Sequence, residues 1–151
     1  MTTESNGMNE EAQIRSLREN LTNALRAKDA DGVASHFAAE AVMFVLAPPL
    51  RYKTGENAPG SKGIQEWFDS FAGAIGYEVR ELQITAGETA AFCHSLNRVS
   101  GINSSDGEKT DIWIRETLGL RKIEGEWKIA HQHQSVPFYM DSLKAALDLK
   151  P

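Results

Sequence analysis

The order of apolar and polar positions divides the chain into a helical first part and a strand-rich second part. Apolar residues recur at helical spacing between positions 14 and 25, which predicts an amphipathic first helix. Asp29 is a good N-cap for a short second helix, and a strand is predicted over 40–46. After a Pro- and Gly-rich loop, Ser61 begins a third helix with an aromatic stripe.

In the second half of the chain the helical period disappears, and apolar residues alternate with polar ones as they do in strands. The dipeptides Asp106-Gly107 and Glu124-Gly125 are turn signals within this part. A final short helix is predicted over 141–149. The four predicted strands span about 78–85, 90–102, 110–123 and 126–136.

This order predicts an α+β domain, because one curved antiparallel sheet can wrap its apolar face around helices packed against it. The chain has 151 residues, of which 41% are hydrophobic, and this is enough for one globular core. We expect a disordered polar tail at 1–8 and a single domain over 9–151.

The charge balance argues against two classes of partner. The formal net charge is −5 and the basic residues are scattered, so no nucleic-acid-binding surface is expected. No stretch approaches a membrane span, and the N-terminal segment lacks the basic start and apolar run of a secretory signal. The single Cys93 cannot form an internal disulfide and is interpreted as a small buried hydrophobe. A soluble cytoplasmic protein is the expectation.

The last two predicted strands carry the most informative polar residues. Alternation puts His131, His133 and Ser135 on the same face as Trp127 and Ile129, so a core-type stripe continues as imidazoles and a hydroxyl.

The two turn signals give a strand register. If Glu124-Gly125 is a two-residue turn, Glu116 faces His133, and if Asp106-Gly107 is an equivalent turn, Asn97 faces Glu116. The concave face then carries the polar row Asn97-Glu116-His133, bordered by Ser95, His131 and Ser135. A single β-bulge or an odd loop would shift this register.

A carboxylate beside an imidazole in an apolar setting is a plausible general acid/base pair, so Glu116 and His133 are the candidate catalytic residues. Asn97, Ser135 or His131 could donate to a developing oxyanion, and Ser95 borders the same row. The competing interpretation is that these groups only satisfy one another and hold the sheet together.

Two further groups of residues bear on the site. Trp67 and Phe71 are typical of a core at helical spacing, but one of them is expected to border a cavity. His131, His133 and Glu116 could in principle ligate a metal, but alternate strand positions spread the rings and no fourth ligand is evident. We therefore expect no metal and no cofactor.

The quoted segments resemble the nuclear-transport-factor-2-like superfamily, and its SnoaL-like and ketosteroid-isomerase-like members in particular. The resemblance covers LTNALRAKDADGVASHFAAEAVMFV and GSKGIQEWFDSF and thus nearly the whole chain. The ending RKIEGEW followed by IAHQHQSVP is similar to the association domain of calcium/calmodulin-dependent protein kinase. The resemblance implies a cone-shaped, cystatin-like α-β roll and a homodimer formed through the convex sheet face, where Arg98 and Arg115 would need partners.

The same resemblance implies a small, partly apolar organic ligand in the cone. Ketosteroid isomerases use a Tyr on the first helix, but Leu17 and Leu21 occupy this region here, so no steroid chemistry is carried over. SnoaL-like cyclases use an acidic pocket residue, for which Glu116 is the positional match. Three hypotheses follow: an isomerase, cyclase or dehydratase that uses Glu116 and His133, a non-catalytic ligand-binding pocket, and an association domain.

Overall fold

Three helices lie in the first half of the described chain, with two strands between the second and the third. A computed structural model describes residues 3–151, with side chains from Asn9 onward. The helices are α1 (Thr3–Arg26), α2 (Ala30–Ala34) and α3 (Gly60–Asp69). Asp29 caps α2 as predicted, because its carboxylate accepts a 3.0 Å hydrogen bond from the Gly32 amide. The tail expected at 1–8 overlaps the start of α1 and includes two residues outside the described range, so its disorder stays a prediction.

All six strands belong to one curved, open sheet with the order β2-β1-β6-β5-β4-β3. Neighbouring strands are antiparallel except β1 and β6, which run parallel. The predicted α+β class is therefore confirmed. The strands are β1 (Phe37–Phe44), β2 (Tyr52–Lys53), β3 (Phe71–Ala86), β4 (Ala90–Asn103), β5 (Lys109–Ile123) and β6 (Glu126–Ser135).

The core lies between α1 and the inner face of the sheet, which we define as the face turned toward α1. Ile14 and Leu21 of α1 are buried in one cluster with Leu118 and Leu120 of β5 and Ile129 of β6. The apolar stripe of α1 and the alternate residues of the strands thus form a single core. No helix in the described part of the chain is long and apolar enough to cross a membrane.

Element bounds differ from the predictions, most of all in two places. β3 begins at Phe71, directly after α3, whereas the strand was expected to begin near residue 78. The final helix predicted over 141–149 is wrong, because this segment forms turns and one isolated bridge between Phe138 and Ala145. Leu143 takes a φ of 61°, which an α-helix does not accommodate.

Glu10, Lys122 and Trp127 form a polar contact between α1 and the β5–β6 hairpin, which we call the clamp. The Glu10 carboxylate accepts a 2.7 Å hydrogen bond from Lys122 Nζ and another from the Trp127 indole N–H. The hydrogen bond from Lys122 is the main cause that lowers the pKa of Glu10, and burial opposes it. Glu10 is therefore a charged anchor between helix and sheet.

The clamp predicts a pH-dependent loss of stability in Glu10→Gln. A carboxyl whose pKa is lowered by folding stabilises the protein above its unfolded pKa, and this contribution is lost as the pH falls through the folded pKa. Glu10→Gln should lower the free energy of unfolding at pH 7 by about 1–2 kcal/mol. Urea titrations should show this gap closing below the ordinary Glu pKa. Glu11→Gln, which removes only an exposed pair with Arg15, is the matched control, and an equal loss in both variants would contradict the clamp.

Candidate ligand-binding site

One β-bulge decides which side chains of β6 face the core. The predicted two-residue turn at Glu124-Gly125 is confirmed, because Ile123 pairs with Glu126 and Lys122 with Trp127. The register then shifts by one residue after Leu120, whose partner is Ile129, whereas the partner of Gly119 is His131. A shift of one residue exchanges the two faces of a strand. The predicted pairing of Glu116 with His133 is therefore wrong, and Glu116 pairs with Gln134 instead.

The β4–β5 pairing is shifted by two residues relative to the prediction. Ser95 pairs with Glu116 and Asn97 with Ile114, because the connecting loop is longer than a two-residue turn. A shift of two keeps every side chain on its predicted face. Asn97 and Glu116 consequently still meet on the inner face, as diagonal rather than directly opposed neighbours.

Glu116 is the centre of a buried polar cluster. Its Oε1 accepts hydrogen bonds from Arg18 Nη1 at 2.7 Å and from Asn97 Nδ2 at 3.0 Å. Its Oε2 accepts from Gln132 Nε2 at 3.0 Å and from Gln134 Nε2 at 2.9 Å. The side chains of both Arg18 and Glu116 are only 2% exposed. Four donors, one of which is a cation, thus engage this carboxylate.

The cluster continues from Asn97 toward β3. Asn97 accepts a 2.7 Å hydrogen bond from Ser95 Oγ and donates a second one, of 2.9 Å, to the Tyr77 hydroxyl. Because Tyr77 Oη accepts from Asn97, its own O–H remains as a donor. Burial raises the pKa of Tyr77 well above its ordinary value, so this hydroxyl stays protonated at neutral pH.

Arg18 carries the one unpaired group of the cluster. Its Nη2 donates to Thr22 Oγ1 at 3.2 Å, and its guanidinium carbon lies 5.7 Å from the centre of the Tyr77 ring. Among the described residues, Arg18 Nε is the one buried side-chain N or O atom without a hydrogen-bond partner. Burial disfavours the charged guanidinium, but the Glu116 carboxylate outweighs this effect and raises the pKa of Arg18. The cluster therefore contains a fixed charge pair and a spare N–H donor.

The predicted His-x-His pair lies on the outer face of the sheet, which we define as the face turned away from α1. The bulge places His131 and His133 there, against the ring of Phe44 with centroid separations of 4.8 and 5.3 Å. His131 Nδ1 lies 2.7 Å from the Val42 carbonyl oxygen. Ser135 is on the same face, where its hydroxyl accepts from Arg115 Nε at 3.0 Å. The sheet separates these three residues from Glu116, so the predicted catalytic pair is not in contact.

The aromatic residues Trp67 and Phe71 lie where helix α3 meets β3. Their ring centroids are 5.3 Å apart in an edge-to-face arrangement, with Phe71 in the core and Trp67 partly exposed. Their expected role at the border of a ligand cavity stays a prediction.

The described residues contain no group of side chains that is arranged as a metal-binding site. No group of three His, Cys, Asp or Glu side chains from residue 9 onward is arranged to hold a metal ion. The three ligands considered from the sequence lie on opposite faces of the sheet, since Glu116 is inside and His131 and His133 are outside. Cys93 is buried, and burial raises its pKa to about 11, which fits an unreactive thiol.

Sequence reasoning missed Arg18, Tyr77, Gln132 and Gln134. A signal for Arg18 was available, because it lies four residues after Ile14 and three before Leu21, on the apolar face of α1. A charged residue at such a position needs a buried partner of opposite charge. Tyr77 and the two glutamines had no comparable signal.

The fold is that of a class of proteins, the nuclear-transport-factor-2-like domains. The sequence profile of the SnoaL-like domain family matches residues 14–139. The chain therefore belongs to the SnoaL-like domain family. A search of curated proteins found no match.

Three solved structures illustrate the relationship. An NTF2-like protein of unknown function from Pseudomonas putida KT2440 is 30% identical, with a TM-score of 0.79 and coverage of 93% of this chain and 96% of the other. A ketosteroid isomerase-like protein from Erwinia carotovora atroseptica SCRI1043 is 21% identical, with a TM-score of 0.64 and coverage of 82% and 93%. A protein from Xanthomonas campestris, provisionally named a calcium/calmodulin-dependent protein kinase II association domain, is 15% identical, with a TM-score of 0.64 and coverage of 90% and 87%. The resemblances inferred from the sequence are confirmed at the level of the fold.

The buried ion pair predicts strong coupling between Arg18 and Glu116. Arg18→Met or Glu116→Gln alone should lower the free energy of unfolding by about 3–5 kcal/mol, because each leaves a buried charge without its counterpart. The double variant should lower the free energy of unfolding by clearly less than the sum of the two single effects. Arg15→Met and Glu11→Gln, an exposed pair on the same helix with a separation of 3.2 Å, should show coupling below about 1 kcal/mol. Additive effects of Arg18→Met and Glu116→Gln in denaturant titrations would contradict the arrangement.

Proposed function

We propose that this SnoaL-like protein binds a small, partly apolar organic molecule through a carbonyl or carboxylate oxygen in the interior of its cone. The observation that carries the proposal is the buried Arg18 Nε, which has no hydrogen-bond partner in the described part of the chain. An unpaired buried donor costs free energy, so it is a position where a ligand oxygen would be stabilising. The proposal requires no cofactor, and we keep a cytoplasmic location as part of it.

The Tyr77 hydroxyl supports the same class of ligand. Its oxygen already accepts from Asn97, and its raised pKa keeps the proton in place, so its O–H can donate to a ligand. Together, Arg18 and Tyr77 offer two buried donors, and hydrogen bonds to an oxygen acceptor are stronger in a buried site than in water. Apolar side chains such as Ile14 and Leu118 belong to the same buried interior.

Binding is supported better than acid/base catalysis by the predicted pair. A general base must be able to take a proton from its ligand, but the Glu116 carboxylate already holds four donors. His133, the other candidate catalytic residue, lies on the outer face. Isomerase, cyclase or dehydratase activity is therefore the alternative that needs a proton-transfer group other than this pair.

Tyr77→Phe tests the proposed ligand contact. Native mass spectrometry of the purified protein, followed by denaturing release, should identify a bound small molecule with a carbonyl or carboxylate group. Tyr77→Phe removes one hydroxyl and should weaken retention of this molecule by about tenfold, as expected for the loss of one hydrogen bond. Tyr52→Phe, which removes a β2 hydroxyl bonded to the Pro48 carbonyl, should retain it. An unliganded wild-type protein, or equal retention in both variants, would contradict the proposal.

We also propose that the chain forms a homodimer through the outer face of the sheet. Phe92 is 47% exposed there, and Leu96 and Trp113 are partly exposed on the same face. Arg80 lies over the Trp113 ring with its guanidinium carbon 5.1 Å from the centroid. Aromatic and Arg residues are favoured in protein–protein interfaces, and this face is richer in them than a plain solvent surface.

The charges of the outer face revise one expectation about this dimer. Arg98 was expected to need a partner across the interface, but it forms a two-point ion pair with Asp111 of its own chain at 2.6 and 2.7 Å. Arg115 donates to Ser135, also within the chain. The proposed interface thus depends on apolar contacts rather than on these arginines.

Phe92→Glu tests the dimer. Analytical ultracentrifugation should give a dimer for the wild-type protein and a monomer for Phe92→Glu, with dimer affinity lowered by roughly thirty-fold or more because a charge replaces a buried aromatic contact. Leu50→Glu places the same charge at a leucine that is 96% exposed in the loop before β2, and should leave the dimer intact. A wild-type monomer at all concentrations tested would contradict the interface.

A further inference from the structure

A groove lies outside the Arg18–Glu116 cluster. It runs between the solvent side of α1, the junction of α2 and β1, and the β5–β6 hairpin, and it has a volume of about 650 Å³. A volume of this order is within the range of small-molecule sites. None of the residues that line it belongs to the Arg18–Glu116 cluster.

One wall of this groove is a stripe of uncharged polar side chains on α1. Asn9, Gln13, Ser16 and Asn20 follow one another at spacings of four, three and four residues, which places them on one side of the helix. All four are exposed, and none makes a side-chain hydrogen bond to another described residue. The charged residues between them, such as Arg15, do not line the groove. This wall offers amide and hydroxyl groups without a net charge.

The opposite wall is also balanced in charge. Lys128 Nζ donates to the Ser35 carbonyl at 2.8 Å and lies 3.7 Å from the Glu126 carboxylate, so its charge is locally compensated. Burial lowers the pKa of His36, and the positive charges of Lys128 and Arg18 lower it further. A neutral imidazole provides one donor and one acceptor. The groove therefore favours no ion of either sign.

The floor of the groove is apolar and held in place. Leu17 and Trp127 lie at its base, and both are buried. The Trp127 indole N–H donates to Glu10, which fixes the ring and the hairpin relative to α1. Polar walls around an apolar floor match a molecule that has hydroxyl groups at its rim and C–H groups on its face.

We propose that this groove is a second binding site, for a neutral polyhydroxylated molecule of monosaccharide size. Amide and hydroxyl side chains can each donate to or accept from a ligand hydroxyl, and the balanced charge excludes a preference for phosphates or carboxylates. This site is independent of the proposed ligand in the cone, because the two share no residue.

NMR spectroscopy tests the proposal directly. Isotope-labelled protein is titrated over the millimolar range with D-glucose, D-galactose and myo-inositol, and separately with D-gluconate as a charged probe of similar size. At least one neutral probe should give saturable shifts centred on the Trp127 indole N–H and the amides of α1, and gluconate should bind at least tenfold more weakly. No saturable shift with any neutral probe, stronger binding of gluconate, or shifts centred elsewhere would overturn the proposal.

Two variants distinguish the loss of groove contacts from a general effect of substitutions in α1. Gln13→Ala and Asn20→Ala remove groove amides at exposed helical positions, where Ala is well tolerated, so folding is preserved. Each should lower the affinity for the neutral probe by about tenfold, as expected for one lost hydrogen bond in the site. Glu19→Ala, on the same helix but outside the groove, should bind as the wild type does. Unchanged binding in both amide variants would overturn the assignment.

Discussion

The interior of this protein depends on one buried ion pair between Arg18 of α1 and Glu116 of β5. Two charges that are almost completely removed from water are tolerated only if each is compensated by its partner and by hydrogen bonds. The surroundings of Glu116 meet this demand, since Asn97, Gln132 and Gln134 complete the set of donors. The pair thereby links the helix to three neighbouring strands and fixes which residues face the core.

This constraint also limits the chemistry that the cone can perform. The carboxylate is the acceptor of the cluster, and the groups left over are donors: the Nε of Arg18 and the hydroxyl of Tyr77. Buried donors without an acceptor suit recognition of a ligand oxygen better than abstraction of a proton. A SnoaL-like fold does not by itself specify an activity, so the functional argument depends on these groups rather than on the family.

The sequence was sufficient for the fold because periodicity and turn chemistry are local signals. The Glu124-Gly125 turn, the Asp29 cap and the α+β order could all be read from a few residues each. The bulge after Leu120 could not, because His131, Gln132, His133 and Gln134 are all polar and either alternate pair could face the core.

The candidate site was predicted only in part for the same reason. Asn97, Ser95 and Glu116 are together because a register error of two residues preserves their face. A register error of one residue moves a side chain to the opposite face, and His131, His133 and Ser135 therefore lie on the outer face. The last segment was predicted wrongly for a different reason. Its leucines recur at helical spacing, but they are exposed, and Ala146 is the one buried residue after β6. A short helix is not stable without such packing.

The glutamines of β6, and not its histidines, complete the buried cluster around Glu116. Nuclear Overhauser effects between assigned side chains distinguish the two arrangements. Contacts are expected from the side-chain amides of Gln132 and Gln134 to the γ-methylene protons of Glu116, and from the His133 ring to Phe44. Contacts from the His133 ring to Glu116 or Asn97 would contradict this arrangement, and would restore the acid/base pair on the inner face.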